Sequence, residues 1–375
     1  MANNNSHIIV IKIGTSTLVD AKGSLNHDFL RNLAEQLAAI KAQGWKPIVV
    51  TSGAIGCGLE RLGIPERPTD MPTLQAAASV GQNILMSAYA QVCDEVGLTT
   101  SVILITRQTT RDRSAYLHAR DTLERLLQLD VVPIINENDT VSVEQIRFGD
   151  NDTLAALVSC LVGAELCVIF SDIEGLFAQN PNIDPDAPLI SHVSRITPEI
   201  MAIAGGAGSK MGSGGMITKI RSARVLMTAG IDMVICYGKK PHALERIVSG
   251  EEIGTRFSAH EIHHDITPKK LWIALGDTPK GAVVVDAGAK RALIESGSSL
   301  LAVGITSVRG VFGPGDSIDI KDDADVTIAR GHAGASSSEV ELACGKTQAE
   351  IKQNELFVNL AQHPVVHRDD LVVFE

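Results

Sequence analysis

The sequence predicts an α/β protein: a three-layer αβα sandwich around a mainly parallel central sheet, joined to a small β-rich domain. Two observations carry this prediction. Through the first two thirds of the chain, short and nearly continuous apolar runs alternate with amphipathic segments, the pattern of strands covered on both faces by helices. After residue 281 the texture changes to short strand-like pieces broken by glycines. A chain of 375 residues has room for two such domains.

In chain order, the strand-length runs are IIVIKIG, PIVVTSG, SVILIT, VVPIINEN, LCVIFSD and DMVICYG. Helical patterns fill the intervals at 28–43, 73–96, 112–129, 153–162 and 216–229. The first domain is assigned to 1–258 and a linker to 259–280, where GTRFSAHEIHHDITPKK breaks the alternation. The second domain, 281–375, holds AVVVDAG, DSIDIKD, DVTIARG, PVVHRDD and LVVFE as strand-like pieces, ITSVRG as a turn and 287–296 as a helix. His260, His263 and His264 sit in the linker, where a solvated segment is the better reading than a metal site, because ligands need fixed geometry and outer support.

Composition narrows the function classes. A formal net charge of −11 argues against a nucleic-acid or anionic-membrane partner reached by bulk electrostatics. The six cysteines include no C-x-x-C pair and several lie in apolar runs, as buried thiols in a reducing cytoplasm would. No basic segment followed by a long apolar run opens the chain, and the longest apolar tract, 154–170, contains Glu165 and the turn-like Gly163-Ala164. A cytoplasmic location is expected.

Polar clusters follow the strand-like runs: Gly14-Thr15-Ser16, Ser52-Gly53-Ala54, Asn136-Glu137-Asn138-Asp139 and Ser171-Asp172. Any one of them reads as an ordinary turn or helix cap. Together they fall on the carboxyl edge of one parallel sheet, where ligands bind in open α/β folds. Lys12 interrupts an apolar strand, and an ammonium there needs an anionic partner; the glycine and hydroxyls that follow suit a phosphate. In FGDNDTLAALV, capping accounts for one acidic residue but not comfortably for Asp150, Asn151 and Asp152 in a row, with NEND only a short way upstream. Such clusters could bind an amino acid, help to hold Mg²⁺ or position lysines. The stretch GSKMGSGGMITK at 208–219 offers close backbone approach and a lysine at a helix start, yet it matches neither the P-loop nor the dinucleotide fingerprint.

These segments resemble the amino-acid kinase family. VIKIGTS, VTSGAI, LHARDTL, INENDTV, FGDNDTLAALV, FSDIEGLF and GSGGMITK carry the resemblance, and within the family they are most similar to the branch that phosphorylates L-glutamate at the opening of proline synthesis. The second domain resembles a PUA domain, opening with VDAGAKRALIESGSSLLAVGI. The resemblance implies that Lys12 contacts nucleotide phosphate and that Ser52, Gly53, Asp139 and Asn151 bind glutamate, with Asn136 and Asp150 completing the pocket. It assigns Gly14, Ser171, Asp172 and the loop Ser213, Gly214, Gly215, Met216, Ile217, Thr218 and Lys219 to ATP. Asp152 is implied to hold Lys12 and Lys219 between the phosphates; Lys12, Lys219 and Asp152 form the catalytic set. Ser171 stands where threonine is common and Ile217 where a small polar residue is frequent, which leaves main-chain contacts available.

The implied cofactors are ATP as co-substrate and Mg²⁺, whose ligands the sequence does not identify. Feedback inhibition by proline and a homo-oligomeric state are further implications. A carboxylate acceptor is already ionised near neutral pH and needs no general base, so two lysines, magnesium and glycine-loop amides meet the needs of phosphoryl transfer. Alternatives are a relative acting on acetylglutamate, aspartate, carbamate or UMP, and RNA binding through the second domain. Residues 281–375 carry eight Lys/Arg against fourteen Asp/Glu and only three aromatics, which disfavours RNA. His367-Arg368-Asp369 copies a protein-kinase motif but lacks the later asparagine and lies in the second domain.

Overall fold

In a computed structural model, the described residues are 7–20, 23–106, 112–141, 151–181, 183–205, 215–259, 270, 273–274 and 279–374. The chain divides into two units, Met1–His263 and His264–Glu375. Asp150, Lys210, Ser213, Gly214 and the three linker histidines lie outside the described residues.

The first unit opens with β1 (His7–Ile13), a single turn α1 (Thr15–Leu18) and α2 (His27–Ala42). Next come β2 (Trp45–Val50), α3 (Ala54–Arg61), the long α4 (Met71–Glu95), β3 (Thr100–Ile105) and α5 (Arg113–Gln128). β4 (Val132–Glu137), α6 (Asp152–Val162), β5 (Leu166–Ser171), β6 (His192–Val193) and α7 (Pro198–Ala204) follow. The unit continues with α8 (Met216–Thr228), β7 (Asp232–Tyr237), α9 (Ala243–Val248) and β8 (Thr255–Phe257). The strands form one sheet in the order β3-β4-β2-β1-β5-β7-β8-β6. Every pairing is parallel except β7 with β8.

Strand alternation sorts the layers. Ile9, Ile11 and Ile13 of β1 join a core with α2, α4 and α9. Ile8, Val10 and Lys12 therefore point to the opposite face, where α6 packs on β1 and β5 and α8 packs on α6 and β7. The expected helices are present within one or two residues. Helices α1, α3, α7 and α9 are additions, and α3 is the longest of them. Its sequence, AIGCGLER, has two glycines that lower helix propensity, but one of them serves contact with α4: a Cβ on Gly58 would lie 1.8 Å from the Ala77 carbonyl oxygen, and one on Gly81 of α4 would lie 1.8 Å from that of Ala54. Backbone-to-backbone packing of α3 on α4 overrides the local preference.

The second unit is built on a five-stranded sheet, β10-β9-β11-β12-β13. Its elements are β9 (Gly281–Val285), α10 (Ala287–Ser296), β10 (Ile305–Gly310), β11 (Ser317–Lys321), β12 (Thr327–His332), α11 (Ser337–Ala343), α12 (Gln348–Lys352) and β13 (Leu371–Val373). Its own apolar core includes Val283, Leu293, Ile318, Ile320 and Val366. Arg368–Asp370 forms a short 3₁₀ turn there, consistent with a structural rather than catalytic segment.

Candidate active site

Four neighbouring parallel strands, β4-β2-β1-β5, end on the same edge of the first sheet. The chain leaves β1 toward β2 on one side and returns to β5 on the other, so the carboxyl end of β1 is a point where the winding reverses. A cavity of about 380 Å³ opens there. Lys12, Gly14, Ser171, Asp172 and Lys219 line the β1 and β5 half; Ser52, Gly53, Asn136, Asp139 and Asn151 line the β2 and β4 half.

The helices that start at this cavity share a feature. The residues preceding α1, α3, α6 and α8, which are Gly14, Gly53, Asn151 and Gly215, provide no side-chain cap. By contrast α2, α4, α5, α7, α10, α11 and α12 are capped by Asn26, Asp70, Asp112, Thr197, Asp286, Ser336 and Thr347, while α9 starts uncapped after His242, which does not line the cavity. Helix starts that face the cavity thus keep amide groups for an anionic ligand. Gly53 adopts φ 92°, a left-handed conformation that a side chain would strain, and this lets the chain turn sharply from β2 into α3.

Asp152, the first residue of α6, is fully buried, and Lys12 and Lys219 are each only 5% exposed. The Lys12 Nζ lies 2.6 Å from Asp152 Oδ1, and the Lys219 Nζ lies 2.9 Å from Asp152 Oδ2. One carboxylate therefore bridges a lysine from the central strand and a lysine from α8. Burial opposes ionisation of Asp152, but the two ammonium groups outweigh it and hold the carboxyl well below its usual range. The three side chains together carry one net positive charge, which suits a polyanion. Thr218 Oγ1 lies 3.1 Å from Asp152 Oδ2 and 2.7 Å from the Gly215 carbonyl oxygen, so its single proton serves one acceptor at a time.

The other half is an amide network. Asn151 Nδ2 donates to the Thr51 carbonyl, and lies 3.1 Å from both Ser52 Oγ and Asn136 Oδ1. Asn136 Nδ2 donates to Gln82 Oε1 of α4 at 2.8 Å. Asn151 is thus turned toward β2 and β4 rather than onto its own helix, which decides against the capping explanation. Asp139 is half-buried; burial pushes its carboxyl up to about 6, with the Arg67 guanidinium pulling the other way. At the end of β5, Ser171 Oγ donates to Asp172 Oδ1 at 3.1 Å.

Of the residues expected from sequence, Lys12, Gly14, Ser52, Gly53, Asn136, Asp139, Asn151, Ser171, Asp172 and Lys219 line the one cavity. Gly215, Met216, Ile217 and Thr218 form the start of the helix that delivers Lys219. Sequence reasoning missed Arg67 and Gln82. Arg67 offered a faint signal, a cation in the proline-flanked connector IPERPTDMP; Gln82 offered none, being one polar residue on a long helix.

Such a site, a buried lysine pair beside a polar pocket at the edge of an αβα sheet, fits a phosphotransferase class. The chain belongs to the amino acid kinase family, whose model matches residues 7–237, and residues 281–354 match the PUA domain. It is similar to the protein named glutamate 5-kinase of Caldanaerobacter subterraneus subsp. tengcongensis, 43% identical and covering 98% of each chain. The proteins of that name from Moorella thermoacetica and Trichlorobacter lovleyi are each 44% identical, covering 100% and 97% of this chain and 98% and 96% of theirs. Among the described residues no helix is long and apolar enough to cross a membrane.

Proposed function

We propose that this kinase transfers the γ-phosphoryl group of ATP to the γ-carboxylate of L-glutamate, giving L-glutamyl 5-phosphate and ADP, the first step of proline synthesis. The observation that carries this reading is the single cavity with a lysine–aspartate–lysine bridge at one side and the Ser52, Asn136, Asp139 and Asn151 pocket at the other. The names of relatives matched over nearly the whole chain support the choice of acceptor.

A γ-carboxylate oxygen of glutamate attacks the γ-phosphorus, and the bond to the β,γ-bridging oxygen breaks, leaving that oxygen on ADP. No proton has to move, because the acceptor carboxylate is ionised at neutral pH. Asp152, held ionised by its lysines, acts as a positioning group rather than a base. Lys12 and Lys219 meet the charge on the transferring group, and the uncapped helix starts add amide donors. Among the described residues there is no cluster of three metal-ligating side chains. That lining fits a magnesium ion held mainly by phosphate oxygens and water, with Asp172 the carboxylate on the nucleotide half. Magnesium would supply charge neutralisation on the phosphates.

The test is ADP release with L-glutamate, acetylglutamate, aspartate, carbamate and UMP as acceptors. Glutamate is expected to give the highest kcat/KM; turnover of another acceptor with none of glutamate would overturn the reading. Proline is proposed to inhibit by competing for the acceptor half, and the enzyme to work as a homo-oligomer. RNA binding is not favoured: Phe312, Phe357 and Phe374, the aromatics of 281–375, are all buried, and Lys290, Arg309, Lys321 and Arg330 are paired with aspartates.

Asp139 gives a pH prediction. As the partner of the substrate ammonium it must be ionised, and with its carboxyl raised to about 6 that form is lost as pH falls. Glutamate keeps its own charges down to about pH 5. Calorimetric titration without ATP is expected to show glutamate affinity falling about tenfold between pH 7 and pH 5. Constant affinity over that range would remove Asp139 from the ammonium site.

A further inference from the structure

Among the described residues, the cations that line the cavity are Lys12, Lys219 and Arg67. The first two are bound to Asp152 in its buried part. Arg67 is different. It is exposed, lies in the connector between α3 and α4, and has no carboxylate within ion-pair distance among the described residues. Its position in the sheet order decides which half it serves. Helix α3 starts at the carboxyl end of β2, and β2 neighbours β4, whose end leads to Asp139. Arg67 therefore belongs to the acceptor half, at its open side, within electrostatic reach of Asp139.

An amino-acid acceptor brings an α-ammonium and an α-carboxylate into that half, besides the carboxylate that reacts. Asp139 answers the ammonium. The amide of Asn151 is already engaged by Thr51, Ser52 and Asn136, and that of Asn136 by Gln82. The α-carboxylate needs a cation not committed to phosphate, and a guanidinium presents a planar fork of donors matched to it. We propose that Arg67 binds the α-carboxylate of the acceptor opposite Asp139, so that the pair reads the amino-acid end of the substrate while the distal carboxylate faces the lysine bridge. This assignment rests on the reading that the acceptor is L-glutamate. It makes Arg67 a specificity residue, acting on binding and not on the chemical step.

The test compares wild type, Arg67→Ala and Arg67→Lys, with ATP and L-glutamate varied separately and with γ-aminobutyrate, which is glutamate without its α-carboxylate, as competitor. In Arg67→Ala the KM for glutamate is expected to rise about tenfold with kcat within about twofold, as loss of a solvent-facing charged hydrogen bond implies. The KM for ATP and the inhibition constant of γ-aminobutyrate are expected to stay at wild-type values, and Arg67→Lys to recover part of the glutamate affinity. An unchanged KM for glutamate would overturn the proposal. So would a raised KM for ATP, which would place Arg67 on the phosphates, or an equal loss for glutamate and γ-aminobutyrate, which would make it a structural residue. Wild-type enzyme that ignores glutamate and phosphorylates another acceptor would instead overturn the choice of acceptor, and this assignment with it.

Discussion

Replacing Lys219 by alanine is expected to lower kcat about 10²- to 10³-fold, the range seen when one preorganised electrostatic donor is removed from a charge-developing site. The KM for glutamate should change little, because Lys219 is bound to Asp152, whereas Ser52 and Asn136 are held by Asn151. The fold should survive. Without Lys219, Asp152 keeps Lys12 at 2.6 Å, a matched pair of one cation and one anion. Steady-state kinetics with both substrates varied, together with circular dichroism, separate these outcomes. Turnover within threefold of wild type would remove Lys219 from the phosphoryl-transfer machinery.

Asp152→Asn is expected to do more damage, for the opposite electrostatic reason. One neutral amide would face two lysines that are almost fully buried, and its nitrogen can only donate toward them. Leaving a buried charge without its counterion costs about 3–5 kcal/mol. The variant should therefore unfold at clearly lower urea concentration than Lys219→Ala, while losing activity to a similar or greater extent because both lysines lose their anchor. Comparing urea midpoints of the two variants checks this ordering. If Asp152→Asn proves as stable as wild type, the bridge is not what organises the lysines.

Much of the first unit could be read from the chain because its signals are local. Short continuous apolar runs bounded by turn residues, such as LCVIFSD, read as strands covered on both sides, and the helical intervals between them follow from amphipathic spacing. Helix α3 escaped because its Gly58 acts through contact with α4, an effect of packing that the local sequence pattern does not show. The reversed pairing of β7 and β8 likewise depends on how a short terminal strand meets its neighbour. In the site, Lys12 announced itself by being a charge in an apolar strand. Arg67 did not, since a cation in a connector is unremarkable until the fold turns that connector toward Asp139.

The sequence by itself determined the class of fold, the carboxyl-edge location of the polar clusters, and the residue types available for phosphate and amino-acid recognition. These depend on periodicity and composition, which are properties of neighbouring residues. The family resemblance already implied that Asp152 holds both lysines, and the structure shows that contact. Only the tertiary structure decided that Asn151 turns toward Ser52 and Asn136 instead of capping its helix, and that Arg67 shares a cavity with Asp139. The physical reason is distance. Lys12, Asp152 and Lys219 are separated by long stretches of chain, and their charges interact strongly only because parallel strands and the helices packed on them bring the three together in a buried position.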